Sequence, residues 1–453
     1  FLENRDIKFN GTITAGNFEI TGKEFTLRYD SFFISMNHID SIRFYVTEKN
    51  GTRRRLNNSM VGADSVAAAA GGLQASTNKS SGTLYINSPD NKAGKIKIPN
   101  YPRLDASAGG VVYYDRNEVL NGAYDRSVFF VVPPFKLDSL NDADPGSINF
   151  QGTFVSSGMF PQFKEKLHTM PYKSLGFTHV MPSTGYKLYQ GDGKIYGDMK
   201  LDNSGIRAKG RIEYLSTIVE SKDFIFYPDS VVGRGNVGEI KEKQLGSVYF
   251  PQVKLGDFQM KWLPKQDKMF LQNLKQPFDL YQNTATLTGR LIVSKNGVGG
   301  DGRLSTRGSD VVSSELSFSA KDFNARHALF EVKTENPDKP ALAGSDVAVK
   351  FDLDENYATI SPETEGEAAI EFPYAQFKTS IPEARWDLTT QKIVMNKAPD
   401  VPIENSYFYT TREDLDSLSF NAEKAEYDIS TQQLKVSGIP YIIVADAKIT
   451  PEN

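Results

Sequence analysis

The feature that most constrains the fold of this chain is an ungapped internal duplication. Residues 186–212 and 278–304 carry the same pattern of aromatic, apolar and glycine positions, 92 positions apart (189 to 281). A repeat of fixed period is typical of stacked units, each of which buries its core only against its neighbours. The matched positions are Tyr189-Gln190 with Tyr281-Gln282, Gly197 with Gly289, Gly205 with Gly297, and Gly210-Arg211 with Gly302-Arg303.

The glycines that recur in both blocks are expected at turns or at close backbone approaches, because glycine tolerates both. Arg211 and Arg303 follow the last glycine of each block. We interpret them as solvated strand residues or cross-strand partners, and not as ligands. A shorter match that needs a gap pairs Phe150-Gln151 and Phe154 with Phe258-Gln259 and Trp262.

The composition favours strands over helices. The chain contains 29 Phe and 21 Tyr against 2 Trp, and these two residue types suit half-buried pleated surfaces. Between residues 8 and 46, apolar and polar side chains alternate with the period of a strand. A hydrophobic content of 39% suits an elongated body with a thin core. We therefore predict an all-β, elongated β-solenoid or stacked β-layer architecture with one short helical insert; an array of stacked sandwiches is the near alternative.

Four regions are predicted along the chain. They are N-terminal β repeats (1–55), a helical or flexible insert (56–80), a β repeat region with the duplicated blocks (81–340), and C-terminal β-hairpin repeats (341–453), with a soft boundary near 335–345. Asn50-Gly51 is a hairpin signal. In the insert, Val66–Ala70 has high helix propensity and Gly71-Gly72 follows it, so we predict a short helix near residues 63–75. A plain linker is the alternative.

The stretch from 158 to 186 shows little periodicity and contains Pro161, Pro171 and Pro182. It is predicted to be a long connection, with one helical turn at Phe163 to Leu167.

A second, smaller repeat marks the C-terminal third. An aromatic residue followed by Asp precedes a polar turn and a returning alternating strand three times, at Phe351-Asp352, Trp386-Asp387 and Tyr427-Asp428. Asp in this position favours tight turns. We predict three β-hairpins in successive layers.

The sequence offers little catalytic or metal-binding chemistry. The absence of cysteine excludes disulfides, thiolate metal sites and a Cys nucleophile. Four histidines are scattered without metal-ligand spacing: His38, His168, His179 and His327. Gly233 to Gly238 satisfies GxGxxG, but it does not open a helix in a βαβ unit, and no GxSxG motif occurs. We predict that the chain is not an enzyme and has no catalytic, cofactor-binding or metal-binding residues.

Two acidic clusters and the two tryptophans are candidate binding residues. Asp138, Asp142 and Asp144 could form a calcium site, as could Asp352, Asp354 and Glu355, but neither matches an EF-hand and plain Asx turns are favoured. Trp262 and Trp386 align with aromatic residues of their repeat partners, which favours core positions over glycan or lipid platforms. A net charge of −4 with evenly mixed signs does not favour nucleic acid, and no window is apolar enough for a transmembrane segment.

Three phrases carry a resemblance to known proteins. They are Phe25 to Met36 with Ile39-Asp40-Ser41-Ile42, Phe150 to Phe154 with Gly158 and Phe160-Pro161, and Ile442 to Ala447. In these the chain resembles large β-rich repeat proteins of the Bacteroidota cell envelope. The duplicated hairpins are also faintly similar to the β-jellyroll repeats of lipopolysaccharide transport, which carry acyl chains along an open apolar groove. The regular Gly-Arg turns and the proline-containing stretch depart from that second group.

These observations imply an exported protein of the cell envelope, in the periplasm or at the outer membrane surface. The expected function is that of a non-enzymatic structural or interaction component, an extended β-repeat scaffold that binds other envelope proteins. A lipid-conducting β-groove bridge and a polysaccharide-binding or polysaccharide-acting β-helix are the alternatives, with lipid or glycan as the ligand. The chain starts at Phe1 and not at Met, so we expect a mature chain or a piece of a longer protein, and favour the latter.

Overall fold

A computed structural model describes residues 5–47, 51–62, 81–142, 148–415, 418–444 and 446–451. Within these ranges the chain is all-β, and its helical elements are 3₁₀ turns of three residues each. This confirms the predicted all-β class. The short helix predicted near residues 63–75 lies outside the described residues. None of the described helices has the length and apolar character needed to cross a membrane.

The strands of the first half of the chain range from 2 residues in β13 to 15 residues in β3. They are β1 Ile7–Ala15, β2 Phe18–Arg28, β3 Phe33–Thr47, β4 Arg53–Val61, β5 Gly82–Tyr85, β6 Arg103–Ala106, β7 Gly110–Tyr113, β8 Val128–Val132, β9 Phe135–Leu137, β10 Asn149–Ser156, β11 Phe163–Met170, β12 Ser174–Val180, β13 Tyr186–Lys187, β14 Lys194–Asp202, β15 Gly205–Tyr214, β16 Thr217–Phe226, β17 Val231–Gly235, β18 Val237–Ile240, β19 Lys243–Leu245 and β20 Val248–Phe250.

The second half continues in the same way. Its strands are β21 Val253–Leu255, β22 Phe258–Leu263, β23 Lys268–Asn273, β24 Phe278–Leu280, β25 Ala285–Ser294, β26 Gly297–Thr306, β27 Ser309–Phe318, β28 Asp322–Val332, β29 Leu342–Asp352, β30 Tyr357–Pro362, β31 Ile370–Phe372, β32 Phe377–Thr379, β33 Ala384–Asp387, β34 Lys392–Asn396, β35 Tyr407–Thr410, β36 Ser419–Asn421, β37 Lys424–Asp428, β38 Gln433–Ser437, β39 Ile442–Val444 and β40 Ala447–Ile449. The 3₁₀ turns are Pro89–Asn91, Leu120–Gly122, Leu140–Asp142, Pro171–Lys173, Pro264–Gln266, Ile403–Asn405 and Glu413–Leu415.

The chain divides into two compact units. The first contains residues 1–212 and 222–232, and the second contains residues 213–221 and 233–453. The limits of the four regions predicted from the sequence stay predictions.

In the first unit an antiparallel sheet begins with the order β1-β2-β3. The long strand β3 then pairs with β4 along one part and with β5 along the other, so the sheet continues as two branches. One branch runs β4-β7-β8-β10-β11-β12-β14, and the other runs β5-β6-β9. Alternate side chains face a buried interior, where Phe130, Phe154 and Phe177 are in contact.

The stretch from 158 to 186 is not the long connection that the sequence predicted. Phe163 to Leu167 belongs to strand β11, which pairs with β10, and β12 follows it. The error has a physical reason: the spacing of Phe163 and Leu167 suits a helix as well as a strand, and pairing with Phe154 and its neighbours decides for the strand. Pro161 and Pro171 lie outside β11 and therefore remove no ladder hydrogen bond.

The second unit has a similar plan. Strands β25 to β29 pair in chain order, and β29 then pairs with β30 through its second half and with β31 through its first. Two branches follow, β30-β33-β34-β37-β38 and β31-β32-β35-β36-β39-β40. Phe372 of one branch contacts Tyr427 of the other with ring centroids 4.9 Å apart, so the two branches share a core.

The duplicated blocks adopt equivalent structures. Strands β14, β15 and β16 match β25, β26 and β27 at the offset read from the sequence. Tyr189 and Gln190 have φ of 50° and 58°, and Tyr281 and Gln282 have 53° and 55°. The predicted equivalence of the two tyrosines is therefore confirmed.

The gapped match between Phe150 and Phe258 is wrong as a structural equivalence. Strand β22 pairs with β23, and β23 pairs with β25. In the first copy β11 pairs with β12, and β12 pairs with β14. The counterpart of β22 is therefore β11, and not β10, where Phe150 lies.

Candidate functional site

A cluster around His179 is the arrangement in the first unit that most resembles a chemical site. His179 lies on β12 between Glu165 of β11 and Tyr186 of β13. Its Nδ1 is 2.8 Å from Glu165 Oε2, and its Nε2 is 2.8 Å from the Tyr186 hydroxyl. The ring stacks on Phe163 with centroids 4.0 Å apart. The imidazole is mostly buried, with 12% of the side chain exposed.

The order carboxylate, imidazole and hydroxyl resembles a proton-relay chain, but the geometry favours a structural role. Both ring nitrogens of His179 are engaged and one face is covered by Phe163, so its neighbours hold the imidazole in place. Burial, together with the charge of Glu165, raises the pKa of the Tyr186 hydroxyl, which makes it a poorer nucleophile at neutral pH. From the sequence His179 was expected to be a strand or loop residue and not a ligand, within the predicted connection 158–186; the structure places it on strand β12. The sequence gave no signal for its two partners.

The other three histidines make local contacts. His38 Nε2 is 3.0 Å from Asp40, His168 Nδ1 is 3.0 Å from the Thr169 carbonyl oxygen, and His327 Nδ1 is 2.8 Å from Asp346. Among the described residues, no three or more His, Asp or Glu side chains are grouped so that they could hold a metal ion.

The acidic clusters behave differently from ligand sets. Asp352 accepts the N–H groups of Asp354 and Glu355 in an Asx turn, as the sequence predicted. Asp138 lies 3.9 Å from Arg103. Residue 144 and the side chain of Asp142 lie outside the description, so the calcium candidate at 138–146 stays a prediction.

The remaining sequence motifs are parts of the β framework. Gly233 to Gly238 falls on β17 and β18 and opens no helix, as expected. A Cβ on Gly235 would lie 2.2 Å from the Glu220 carbonyl oxygen, so close strand packing explains that glycine. Trp262 and Trp386 are each 1% exposed, which confirms their predicted core positions. The Arg211 guanidinium lies over the Tyr196 ring at 4.7 Å, a cross-strand contact of the kind expected.

Two open clefts carry charged groups on the faces of the sheets. In the first unit a cleft of about 410 Å³ is lined by Lys200, Arg207, Lys209 and Lys222 beside the exposed Val180. Arg207 is paired with Asp223 and Lys200 with Asp202, so part of this positive charge is already neutralised.

A cleft of about 510 Å³ in the second unit is more acidic. Glu220, Glu239 and Asp279 line it, from three different strands, together with Lys254. The exposed side chain of Val237 forms part of its wall. Carboxylates of this kind can accept hydrogen bonds from sugar hydroxyls.

The last strands of the second unit carry several exposed apolar side chains. Of the 12 exposed large apolar side chains among the described residues, four lie between positions 441 and 449. We define the β38 apolar pair as Leu434 and Val436, the two partly exposed inner side chains of β38. A cluster of exposed apolar groups is typical of an interaction site.

The inner side chains of the preceding hairpin, β33-β34, are more deeply buried than those of β38. Ile393 and Met395 of β34 occupy the positions that correspond to Leu434 and Val436, and both are fully buried. The sequence predicted the hairpin β37-β38, but it gave no indication that the inner side chains of β38 would stay partly exposed.

No protein-family model matches the sequence, and no curated protein matches it significantly.

Proposed function

We propose that this chain is a non-enzymatic structural or protein-interaction component of the bacterial cell envelope, built as a β-repeat scaffold. The observation that carries the proposal is the close packing of side chains between the layers of the second unit. The Trp386 ring centroid is 6.3 Å from that of Phe330 and 6.3 Å from that of Phe351. Phe323 stacks on Phe351 at 4.8 Å.

This packing favours a scaffold over a lipid conduit. A conduit requires apolar side chains that face an open groove and remain accessible to an acyl chain. Phe330 and Phe351 each contact Trp386 instead, and all three side chains are at most 1% exposed. The cell-envelope location is part of the proposal and rests on the resemblance of the three sequence phrases to cell-envelope proteins.

Photo-crosslinking tests the scaffold against the conduit. In one variant benzoylphenylalanine replaces Phe330, a buried residue of β28. In the other it replaces the neighbouring Leu329, which is 56% exposed. We expect the residue-330 variant to form crosslinks only within the chain after irradiation in cells. Acyl lipid captured at residue 330 in excess over residue 329 would overturn the scaffold proposal and support the conduit. Fractionation of the same cells tests the envelope location, and recovery of the protein in the cytosol contradicts it.

A glycan-binding role is a second candidate, because the acidic cleft gathers Glu220, Glu239 and Asp279 on one sheet face. Binding of soluble polysaccharides by the wild type and by an E239Q variant measures this. An affinity that E239Q lowers would favour it, and equal weak binding by both proteins would remove it.

A further inference from the structure

The three C-terminal hairpins follow one stacking rule. The second strand of each hairpin pairs with the first strand of the next, and the register is the same each time. Tyr357 of β30 lies opposite Asp387 of β33, and Lys392 of β34 lies opposite Asp428 of β37.

The turns are stacked by the same rule. The N–H of Leu388 donates to the carbonyl oxygen of Asn356 at 3.0 Å, and the N–H of Ile429 donates to that of Gln391 at 3.1 Å. Each turn therefore anchors the next one, one hydrogen bond at a time.

Strand β38 repeats the outer strand of each earlier layer. Gln433 and Leu434 follow the turn residue Gln432 just as Lys392 and Ile393 follow Gln391, and Gln432 and Gln391 both have φ of 57°. Among the described residues, β38 pairs with β37 alone. Alternate N–H and C=O groups of β38 therefore point away from β37, as in any edge strand.

We propose that the outer edge of β38, with the β38 apolar pair, forms a docking site for an extended segment of another polypeptide, which adds to β38 as an antiparallel strand. The inference rests on the proposed interaction function and specifies the chemistry of the partner. It is continuous with two interfaces already present in the molecule, β30-β33 and β34-β37. A strand satisfies the backbone groups of β38, whereas an acyl chain would cover them without hydrogen bonds at a substantial cost.

The register specifies the docked segment further. An aromatic residue is placed opposite Leu434, as Tyr427 is opposite Ile393, and an Asp opposite Gln433, as Asp428 is opposite Lys392. The N–H that follows this Asp is placed to donate to the Gln432 carbonyl oxygen. The aromatic ring would cover Leu434 and Val436, the two inner side chains of β38 that are partly exposed.

A peptide copy of residues 382–398, which contains the hairpin β33-β34, is the probe. Fluorescence anisotropy of the labelled peptide with the full chain is expected to show saturable binding. A peptide with the W386S substitution removes the aromatic group and is expected to bind about tenfold more weakly, from the apolar area lost. Equal binding of both peptides, or no binding of either, would overturn the proposal.

Protein variants locate the site. L434S is expected to weaken binding of the peptide about tenfold, because it removes apolar area from the docking face. K435Q, on the opposite face of the same strand, is the matched control and is expected to leave the affinity within about twofold. Circular dichroism checks that both variants are folded. If K435Q weakens binding as much as L434S does, the peptide binds elsewhere and the proposal is wrong.

Hydrogen exchange distinguishes the occupants of the edge. The β38 amides that point outward should exchange quickly in the protein alone and slowly with the peptide. Slow exchange without peptide at all protein concentrations means that the protein itself covers this edge, which contradicts the proposal. Protection that grows with protein concentration means that a second copy binds there, which also contradicts it. Failure of peptide binding leaves the scaffold function standing, whereas lipid capture at residue 330 tests that function independently of this edge.

Discussion

Two glycines of the second duplicated block show how single residues determine the local backbone. Gly289 and Gly302 face each other on β25 and β26, with φ of 158° and 131°. A Cβ on Gly302 would lie 2.3 Å from the Thr288 carbonyl oxygen and 2.8 Å from the Gly289 Cα. The two backbones approach so closely that a side chain at 302 must displace a strand.

We predict that Gly302→Val destabilises the second unit by about 3 kcal/mol, from backbone strain and overlap at this contact. The corresponding Gly210→Val is expected to act alike, because its Cβ would lie 1.9 Å from the Tyr196 carbonyl oxygen. The urea midpoint of each variant measures the effect. Gly256→Ala is the control, since a Cβ there meets nothing within 4 Å. Unchanged midpoints for both valine variants would show that these are ordinary strand positions.

Tyr281 is a second residue on which the repeat depends. Its hydroxyl is placed at the carbonyl oxygens of Ser319 and Asp322, at 3.1 and 2.8 Å. Tyr189 makes the equivalent contacts with Tyr227 and Ser230, at 2.6 and 2.9 Å. Each tyrosine therefore joins the turn near the start of its block to a later turn of the same unit.

We predict that Tyr281→Phe lowers stability by about 1–2 kcal/mol, because buried carbonyl groups lose their donor. Tyr249→Phe, at a position that is 49% exposed, is the control and should change little. Thermal melts of both variants measure the difference. Burial raises the pKa of the Tyr281 hydroxyl, so the folded state favours the neutral hydroxyl. This contribution is complete below the ordinary pKa of 10 and is lost at higher pH in the wild type but not in Tyr281→Phe.

At the scale of elements, aspartate side chains stabilise the turns of the C-terminal hairpins. Asp387 Oδ1 accepts the N–H groups of Thr389 and Thr390, both at 2.8 Å, and Asp428 does the same for Ser430 and Thr431. These hydrogen bonds, that of Thr390 first, lower the pKa of Asp387.

We predict that Asp387→Ala increases hydrogen exchange at the turn and lowers the urea midpoint, because two N–H groups lose their acceptor. Asp387→Asn keeps the acceptor oxygen and should have a clearly smaller effect. The Asp387→Ala loss should be largest above the ordinary pKa of 3.8 and should disappear at lower pH, as the wild-type carboxylate is protonated. Equal midpoints for the Ala and Asn variants would show that the turn does not depend on this oxygen.

An ion pair joins two other elements of the second unit. Arg326 Nε and a terminal guanidinium nitrogen each lie 2.7 Å from the Glu363 carboxylate, and the His327 N–H donates to it at 3.0 Å. These partners, Arg326 first, lower the pKa of Glu363 from 4.5 to about 2. Arg326 and His327 interrupt the β28-β29 register, so the pair secures a bulge against the end of β30.

We predict an acid-dependent loss of stability that Glu363 causes. Because its pKa is lower in the folded state, its contribution is complete above pH 4.5 and is lost as the pH falls towards 2. Glu363→Gln should therefore be less stable than the wild type at neutral pH and converge with it near pH 2. Glu365→Gln, at an exposed neighbouring residue, is the control. Parallel wild-type and Glu363→Gln curves from pH 7 to 2 would contradict the assignment.

Features that depend on residues adjacent in the chain could be predicted from the sequence, and features that depend on strand pairing could not. The hairpins at Asp352, Asp387 and Asp428 were predictable, because an Asx turn is determined by residues adjacent in the chain. Strand β11 was missed, because its apolar spacing is ambiguous and pairing with β10 decides its form. The contacts of His179 with Glu165 and Tyr186 were also beyond reach, since they depend on which strands become neighbours.

At the scale of the second unit, layers depend on their neighbours. Ala358 and Ile360 of β30 are fully buried, as are Ile393 and Met395 of β34. The inner side chains of β38, in contrast, are only partly buried. When each layer contacts only the adjacent ones, stability is roughly the sum of layer and interface contributions, so a layer with one covered side opens most easily.

We therefore predict a gradient of hydrogen-exchange protection along these hairpins. Amides of β33 and β34 should exchange most slowly and those of β37 and β38 faster, although the sequences of the hairpins are alike. Mass spectrometry of peptides from residues 384–396 and 424–437 measures this at constant pH. In mild urea the gap should widen, because the outer hairpin opens before the inner one. Identical protection of both hairpins at every urea concentration would mean that the layers unfold as one cooperative block, and the nearest-neighbour account would be wrong.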